Sequence, residues 1–125
     1  MLRSLLLVGL GGCFGSMARY AVSYAVNKHW TNHFPLGTFL INIIGCFIIG
    51  LLFGLSSRNQ AFQGDWWLIL ATGFCGGFTT FSSFALENTE LMRMQQSMTA
   101  LIYTLLSIVL GIILCRTGIW LAVKA

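Results

Sequence analysis

The chain has 125 residues, of which 57% are hydrophobic and only 8% charged, with seven Lys/Arg against three Asp/Glu. A water-soluble domain of this size could not cover so much apolar surface, so the composition excludes one and requires an integral membrane protein. The net charge of +4 is scattered near the ends of apolar blocks, which fits lipid headgroups and not a nucleic-acid patch.

The first apolar block covers residues 2–26. Its start, with Arg3 ahead of a Leu-rich run, resembles a signal peptide. The apolar character continues well past any cleavage point, to a length that spans a bilayer at about 1.5 Å per residue. Gly11 and Gly15, and Gly12 and Ser16, form small-xxx-small pairs that let another helix approach closely. Arg19 and Tyr20, near the far end, read as a snorkelling anchor and an interfacial aromatic. Residues 27–34 read as a short polar loop. It carries His29 and His33, four apart, which fall short of a usual metal-ligand set. Pro35 suits the first turn of the following helix.

The second block covers residues 34–55. Thr38, Asn42 and Gly45 recur at helical spacing and share one face. Asn42 carries two donors and an acceptor that hydrocarbon cannot satisfy. It must bond a neighbouring helix or line a polar path. Gly50 and Gly54 offer a second close-packing pair. Residues 56–65 form the most polar loop, and Trp66-Trp67 marks the return to the interface.

The third block, residues 66–87, has flanks suited to a membrane helix and a middle that is not. It reads Gly73-Phe74-Cys75-Gly76-Gly77-Phe78-Thr79-Thr80-Phe81-Ser82-Ser83-Phe84. Gly76-Gly77 is a poor helix interior, and four hydroxyls follow within five residues. A break here frees backbone groups, which are tolerated at depth only against protein, ions or a wet cavity. Broken membrane helices often form ion or substrate sites. The competing reading is a kinked helix whose hydroxyls bond their own backbone. Phe81 and Phe84, three apart, share a face. Beyond them, residues 87–93 read as a polar helical continuation, with Glu90 placed to pair with Arg93 and Glu87 nearer the bilayer, able to hold a neighbouring chain.

The fourth block covers residues 98–123. Tyr103, Ser107, Gly111 and Cys115 recur every four residues. This stripe is either a helix-packing seam or one wall of a polar track. Trp120 and Lys124 anchor the end. The four cysteines share no metal-ligand spacing and read as small buried hydrophobes.

Four spans put both termini on one side. That side carries Arg3, Arg58, Arg116 and Lys124, and the other carries Arg19, Lys28 and Arg93. This near balance gives no clear positive-inside orientation. Such a chain could insert both ways, and two opposed copies would form an antiparallel two-fold dimer. That dimer supplies the inverted symmetry that larger transporters carry within one chain. The fold class expected is therefore all-α, with four transmembrane helices per subunit, the third broken near its middle, in a dual-topology homodimer.

The segments Gly-Gly-Cys-Phe-Gly-Ser-Met-Ala-Arg-Tyr (11–20), Gly-Thr-Phe-Leu-Ile-Asn-Ile-Ile-Gly (37–45) and the third-block motif (73–84) resemble the Fluc (CrcB) fluoride channels. The resemblance covers the whole chain in length, span count and motif order. It implies an antiparallel homodimer with two fluoride pores and a structural sodium ion at its centre, in the cell inner membrane. It places Asn42, Phe81 and Phe84 along the fluoride path, with Thr38, Thr80, Ser83, Tyr103 and Ser107 as polar companions. It places Arg19 at an electropositive vestibule and Glu87 near the dimer interface. The backbone carbonyls of Gly76 and Thr79, from both copies, would hold sodium. Gly111 and Cys115 depart from the hydroxyl-bearing track of relatives, which weakens the outer part of that track.

The chemistry fits this implication. Fluoride is strongly hydrated, so its dehydration needs replacement donors, which Asn42 and the hydroxyls provide. Aromatic ring edges attract an anion without holding it tightly, and conduction requires release. A small dual-topology proton-coupled exporter of the multidrug type is the alternative. It needs a protonatable carboxylate in the membrane, and here only Glu87 and Glu90 come close. A purely structural packing subunit is a third reading. No acid, base and nucleophile converge, so an enzyme is not expected.

Overall fold

A computed structural model describes all residues, 1–125, and is entirely helical. Helix α1 runs Leu2–His29 and α2 runs Leu36–Arg58. A single 3-10 turn, Gln60–Phe62, follows. The third span, Asp65–Arg93, comes in two pieces. Its first piece, α3, passes through Asp65–Trp67, Leu68–Cys75 and Gly76–Phe78. Its second piece, α4, is Phe81–Arg93. Helix α5 runs Ser97–Lys124. Four stretches are thus long and apolar enough to cross a membrane.

The first connection is shorter than the sequence suggests. Residues expected in the loop, Asn27, Lys28 and His29, complete α1, and the Trp30 N–H closes it on the Val26 carbonyl at 2.9 Å. Lys28 and His29 in the last turn suit the negative end of the helix dipole. Pro35 sits just before α2, where a missing N–H costs no helical bond.

Only 20 of the 125 residues are buried, so the apolar side chains mostly face outward and the bilayer serves as their solvent. Cohesion comes from close backbone approach. Helix α1 packs on α3, and α2 on α5. A methyl at Gly11 would lie 2.0 Å from the Ile69 carbonyl oxygen, and one at Gly15 would lie 2.2 Å from that of Phe74. On the other seam, a methyl at Gly50 would lie 2.2 Å from the Cys115 carbonyl oxygen. These contacts let the helices meet at distances that side chains would forbid. A small core of Phe39, Leu91, Ala100 and Tyr103 ties α2, α4 and α5 together.

The interruption lies later than Gly76-Gly77. Both glycines are helical, and the chain leaves the helix at Thr79-Thr80. Gly77 serves packing instead: a methyl there would lie 2.6 Å from the Gly12 carbonyl oxygen. The bonds of Leu68–Cys75 are wound wider than α, in a π pattern, a feature that often accompanies functional distortion of a helix.

Candidate functional site

The site begins with the two residues that interrupt the third span. Thr79 (φ −83°, ψ 159°) and Thr80 (φ −151°, ψ 120°) are both extended. Extended backbone between two helices strands carbonyls at the end of one and amides at the start of the next. Side chains meet part of this demand. The Thr79 hydroxyl donates to the Cys75 carbonyl at 2.8 Å. Thr80 Oγ1 accepts the Ser83 N–H at 3.2 Å, a helix N-cap for α4. Asn42, one helix away, donates through Nδ2 to the Thr80 carbonyl at 3.0 Å and accepts the Thr80 N–H on Oδ1 at 2.8 Å.

Asn42 therefore supplies both halves of the pairing that Thr80 loses at the break. Its amide still has one uncommitted N–H. Thr79 lies outside both helices, and no hydrogen bond of the chain ends on its carbonyl.

Two cavities meet at Thr80. One, of about 460 Å³, opens on the outer face and is lined by Asn42, Cys46, Gly76, Thr79, Thr80 and Phe81 among others. The other, of about 220 Å³, is lined by Ser16, Arg19, Tyr20, Ser23, Thr38, Thr80 and Ser83. Six of the seven residues lining the smaller cavity carry hydroxyls, and the seventh is Arg19. Neither ion pair of the chain involves Arg19, because the partners are Arg3 with Asp65 and Arg93 with Glu90. An unpaired guanidinium over a ring of hydroxyls attracts anions.

The aromatic residues form a ladder behind the break. Phe81, 78% exposed, stands 5.7 Å from Phe84 between ring centroids, and Phe84 stands 5.0 Å from Tyr103. Tyr103 is fully buried and meets Phe34 edge-on at 5.4 Å. One turn along α5, the Ser107 hydroxyl is buried without a partner. Buried polar atoms are rarely left so.

Glu87 is fully engaged inside its own chain. Thr38 Oγ1 donates to one carboxylate oxygen at 2.8 Å, and the Tyr103 hydroxyl donates to the other at 3.0 Å. Within one chain this carboxylate clamps α2 and α5 to α4. A charged group at this depth needs such partners. Thr38 and Tyr103, expected as path companions, have their hydroxyl protons committed to it.

The expected residues thus fall into three groups. Arg19, Thr38, Thr80 and Ser83 share one cavity, and Asn42, Gly76, Thr79, Thr80 and Phe81 share the other. Phe84 and Tyr103 meet across the α4–α5 contact, and Ser107 lies one turn further along α5. Three residues of the smaller cavity escaped the sequence reading as site members: Ser16, Tyr20 and Ser23. With Arg19 they fall at i, i+3, i+4 and i+7, and that single helical face was the available signal. The outer part of the α5 stripe serves packing. Gly111 faces Cys46 Sγ, 3.2 Å from where a methyl would lie, and Cys115 lies against Gly50. All four cysteines are free thiols.

The chain is similar to known proteins over most of its length. The family model described as "CrcB-like protein, Camphor Resistance (CrcB)" matches residues 6–119. The chain is 47% identical over 117 residues to the "Fluoride-specific ion channel FluC" of Gloeothece citriformis, covering 94% of each chain. It is 44% identical over 111 residues to the protein of the same name from Azobacteroides pseudotrichonymphae, covering 89% of each. It is also 44% identical over 118 residues to "Fluoride-specific ion channel FluC 1" of Carboxydothermus hydrogenoformans, covering 94% of this chain and 92% of the other.

Proposed function

The chain belongs to the Fluc (CrcB) family, and we infer from that membership that it is a fluoride-specific ion channel and not an enzyme. It is a multi-pass membrane protein, and we place it in the cell inner membrane. There it lets F⁻ leave the cell passively. An inside-negative potential expels an anion by about 2.3 kcal/mol per charge at 100 mV. Fluoride that enters as neutral HF and ionises inside would leave by this route.

The observation that carries the reading is the meeting of two cavities at Thr80. A fluoride ion gathers beside Arg19, where the hydroxyls of Ser16, Ser23 and Ser83 replace part of its hydration shell. Past the break it meets the free N–H of Asn42 and the ring edges of Phe81 and Phe84. Ring edges carry partial positive charge and attract the ion loosely enough for release. The unpartnered Ser107 hydroxyl offers one further donor.

The working unit in this reading is an antiparallel homodimer with two pores. The open face lined by Asn42, Gly76, Thr79 and Phe81 receives the second copy. The unpaired Thr79 carbonyl and the uncovered Gly76 suit a hard cation, which prefers oxygen ligands. Sodium held there by carbonyls of both copies would supply a fixed positive charge at the centre. The proton-coupled exporter is less well supported, since Glu87, the acid set between helices, has both oxygens bonded to neighbouring hydroxyls.

The test is fluoride-electrode efflux from liposomes under a clamped potential. Wild type should release fluoride without a proton gradient. Phe81→Ile should slow release about tenfold, equivalent to losing ~1.4 kcal/mol of ring-edge attraction. Equal rates would remove Phe81 from the path, and a strict requirement for a proton gradient would favour the exporter.

A further inference from the structure

We propose that the last turns of α5 form a binding site for an anionic glycerophospholipid, built on Arg116, Trp120 and Lys124. These three residues are four apart in sequence and so lie on one helical face. With Ile119 and Val123 they line a surface groove of about 490 Å³. Lys124 does not extend away from the chain. Its ammonium folds back over the Trp120 ring, 4.6 Å from the centroid. The groove therefore has a cation at each end, an indole between them and an apolar floor.

The charge balance of the chain says where the counter-charge must come from. The chain has three acidic side chains in all. Asp65 is paired with Arg3 and Glu90 with Arg93. Glu87 is held by Thr38 and Tyr103. Neither this copy nor a second identical copy has a free acidic side chain to offer Arg116 or Lys124. Among the other bases at this end, Arg3 has Asp65, and Arg58 donates to the Ala122 carbonyl at 3.0 Å. Of the bases at this end without an acidic partner, Arg116 and Lys124 are the two that line one groove together.

Depth then selects the partner. Arg116 lies eight residues before Lys124, about 12 Å along the helix axis. It is exposed, and the same face continues inward as Ile112 and Ile113, 59% and 51% exposed. That is a lipid-facing wall. A guanidinium there favours a nearby anion over hydrocarbon. The phosphate of a lipid can sit between Arg116 and Lys124, bonded by the guanidinium fork. The acyl chain then lies along Ile112 and Ile113, and the Trp120 indole marks headgroup level. A headgroup without its own cation, as in phosphatidylglycerol, leaves both protein charges satisfied. In phosphatidylcholine the choline would compete with them.

The test uses the purified full-length protein and native mass spectrometry after equilibration with mixed micelles of phosphatidylglycerol and phosphatidylcholine. Wild type should retain phosphatidylglycerol in preference to phosphatidylcholine. R116Q/K124Q should retain about thirtyfold less, at roughly a kilocalorie per basic residue, and K124Q alone, a change at an exposed helix end, should show part of the loss. Arg3→Gln, at the same membrane side but already paired, should retain wild-type amounts. Equal retention by wild type and both groove variants would overturn the proposal. So would displacement of the lipid by millimolar inorganic phosphate, which would make the groove a free-anion site. A fall in dimer fraction with unchanged lipid retention would assign this face to a second copy instead. Fluoride efflux can be read on the same variants, so failure here is separable from failure of the channel reading.

Discussion

Two regions of the molecule solve the same membrane problem in opposite ways. The α2–α5 seam keeps its backbone hydrogen bonds within each helix and uses glycine for approach, with Gly50 against the Cys115 carbonyl and Gly118 against that of Phe47. The α3–α4 break gives up helical bonds over two residues and hands the task to side chains, chiefly Asn42. The seam is closed and tolerates nothing larger. The break leaves donors and carbonyls uncommitted, and cavities open beside them. In a bilayer an unpaired backbone group is costly, so the second arrangement persists only where those groups have work to do.

The seam should be the more fragile of the two. Gly50→Leu drives a side chain into the α5 backbone, which has no rotamer by which to yield. The expected loss is about 3 kcal/mol or more of stability, read as unfolding at lower denaturant in detergent, with fluoride efflux lost along with the fold. If Gly50→Leu unfolds like wild type, the helices can separate at that point and the seam is not the rigid half of the molecule.

The break should lose less, and in a different manner. Asn42→Ala leaves the Thr80 N–H and carbonyl without partners, for about 2–4 kcal/mol in total. The fold should survive while efflux falls, because α4 would no longer be held in register with Phe81 over the cavity. Retained efflux at full rate would show that Thr80 finds other partners and that Asn42 is not needed for conduction.

These two outcomes also mark what was readable in the chain. The seam was legible, since Gly50 and Gly54 declare close approach by spacing alone, as Gly11 and Gly15 do for the α1–α3 contact. The need for the break was legible from hydroxyls clustered after paired glycines. Its position was not. Gly76-Gly77 are weak helix formers in isolation, but Gly77 fits against Gly12 of α1 so closely that helix is kept there, and tertiary contact overrode propensity. Asn42 was legible as a residue needing a partner. That its partner would be both backbone atoms of one residue 38 positions away was not. Ser16 and Ser23 were hidden because each is an ordinary packing residue, and only their shared face with Arg19 gives them meaning. The two hydroxyl partners of Glu87 were not legible, because Thr38 and Tyr103 lie on other helices.

Gly76 tests the comparison from the open side. It is the one glycine of the motif with nothing within 4 Å of an added methyl. Within a subunit, Gly76→Ala should therefore be neutral or stabilising by about 0.5–1 kcal/mol, through helix propensity. If a second copy closes over this face, the same methyl should lower the dimer fraction on dilution in micelles. A variant that is both more stable and fully dimeric would move the contact between copies elsewhere.

Ser107→Ala should have the smallest effect on stability and the clearest meaning. The hydroxyl is buried and unpartnered, so removing it discards a desolvated polar group and breaks no hydrogen bond within the chain. Stability should stay level or rise slightly, by less than about 1 kcal/mol. On the proposed path efflux should nonetheless fall severalfold, because a dehydrated anion would lose a donor there. The two readouts moving in opposite directions would be hard to obtain from a packing residue. If stability drops and efflux is unchanged, Ser107 belongs with Gly111 and Cys115 to the seam, and the polar side of α5 ends at Tyr103.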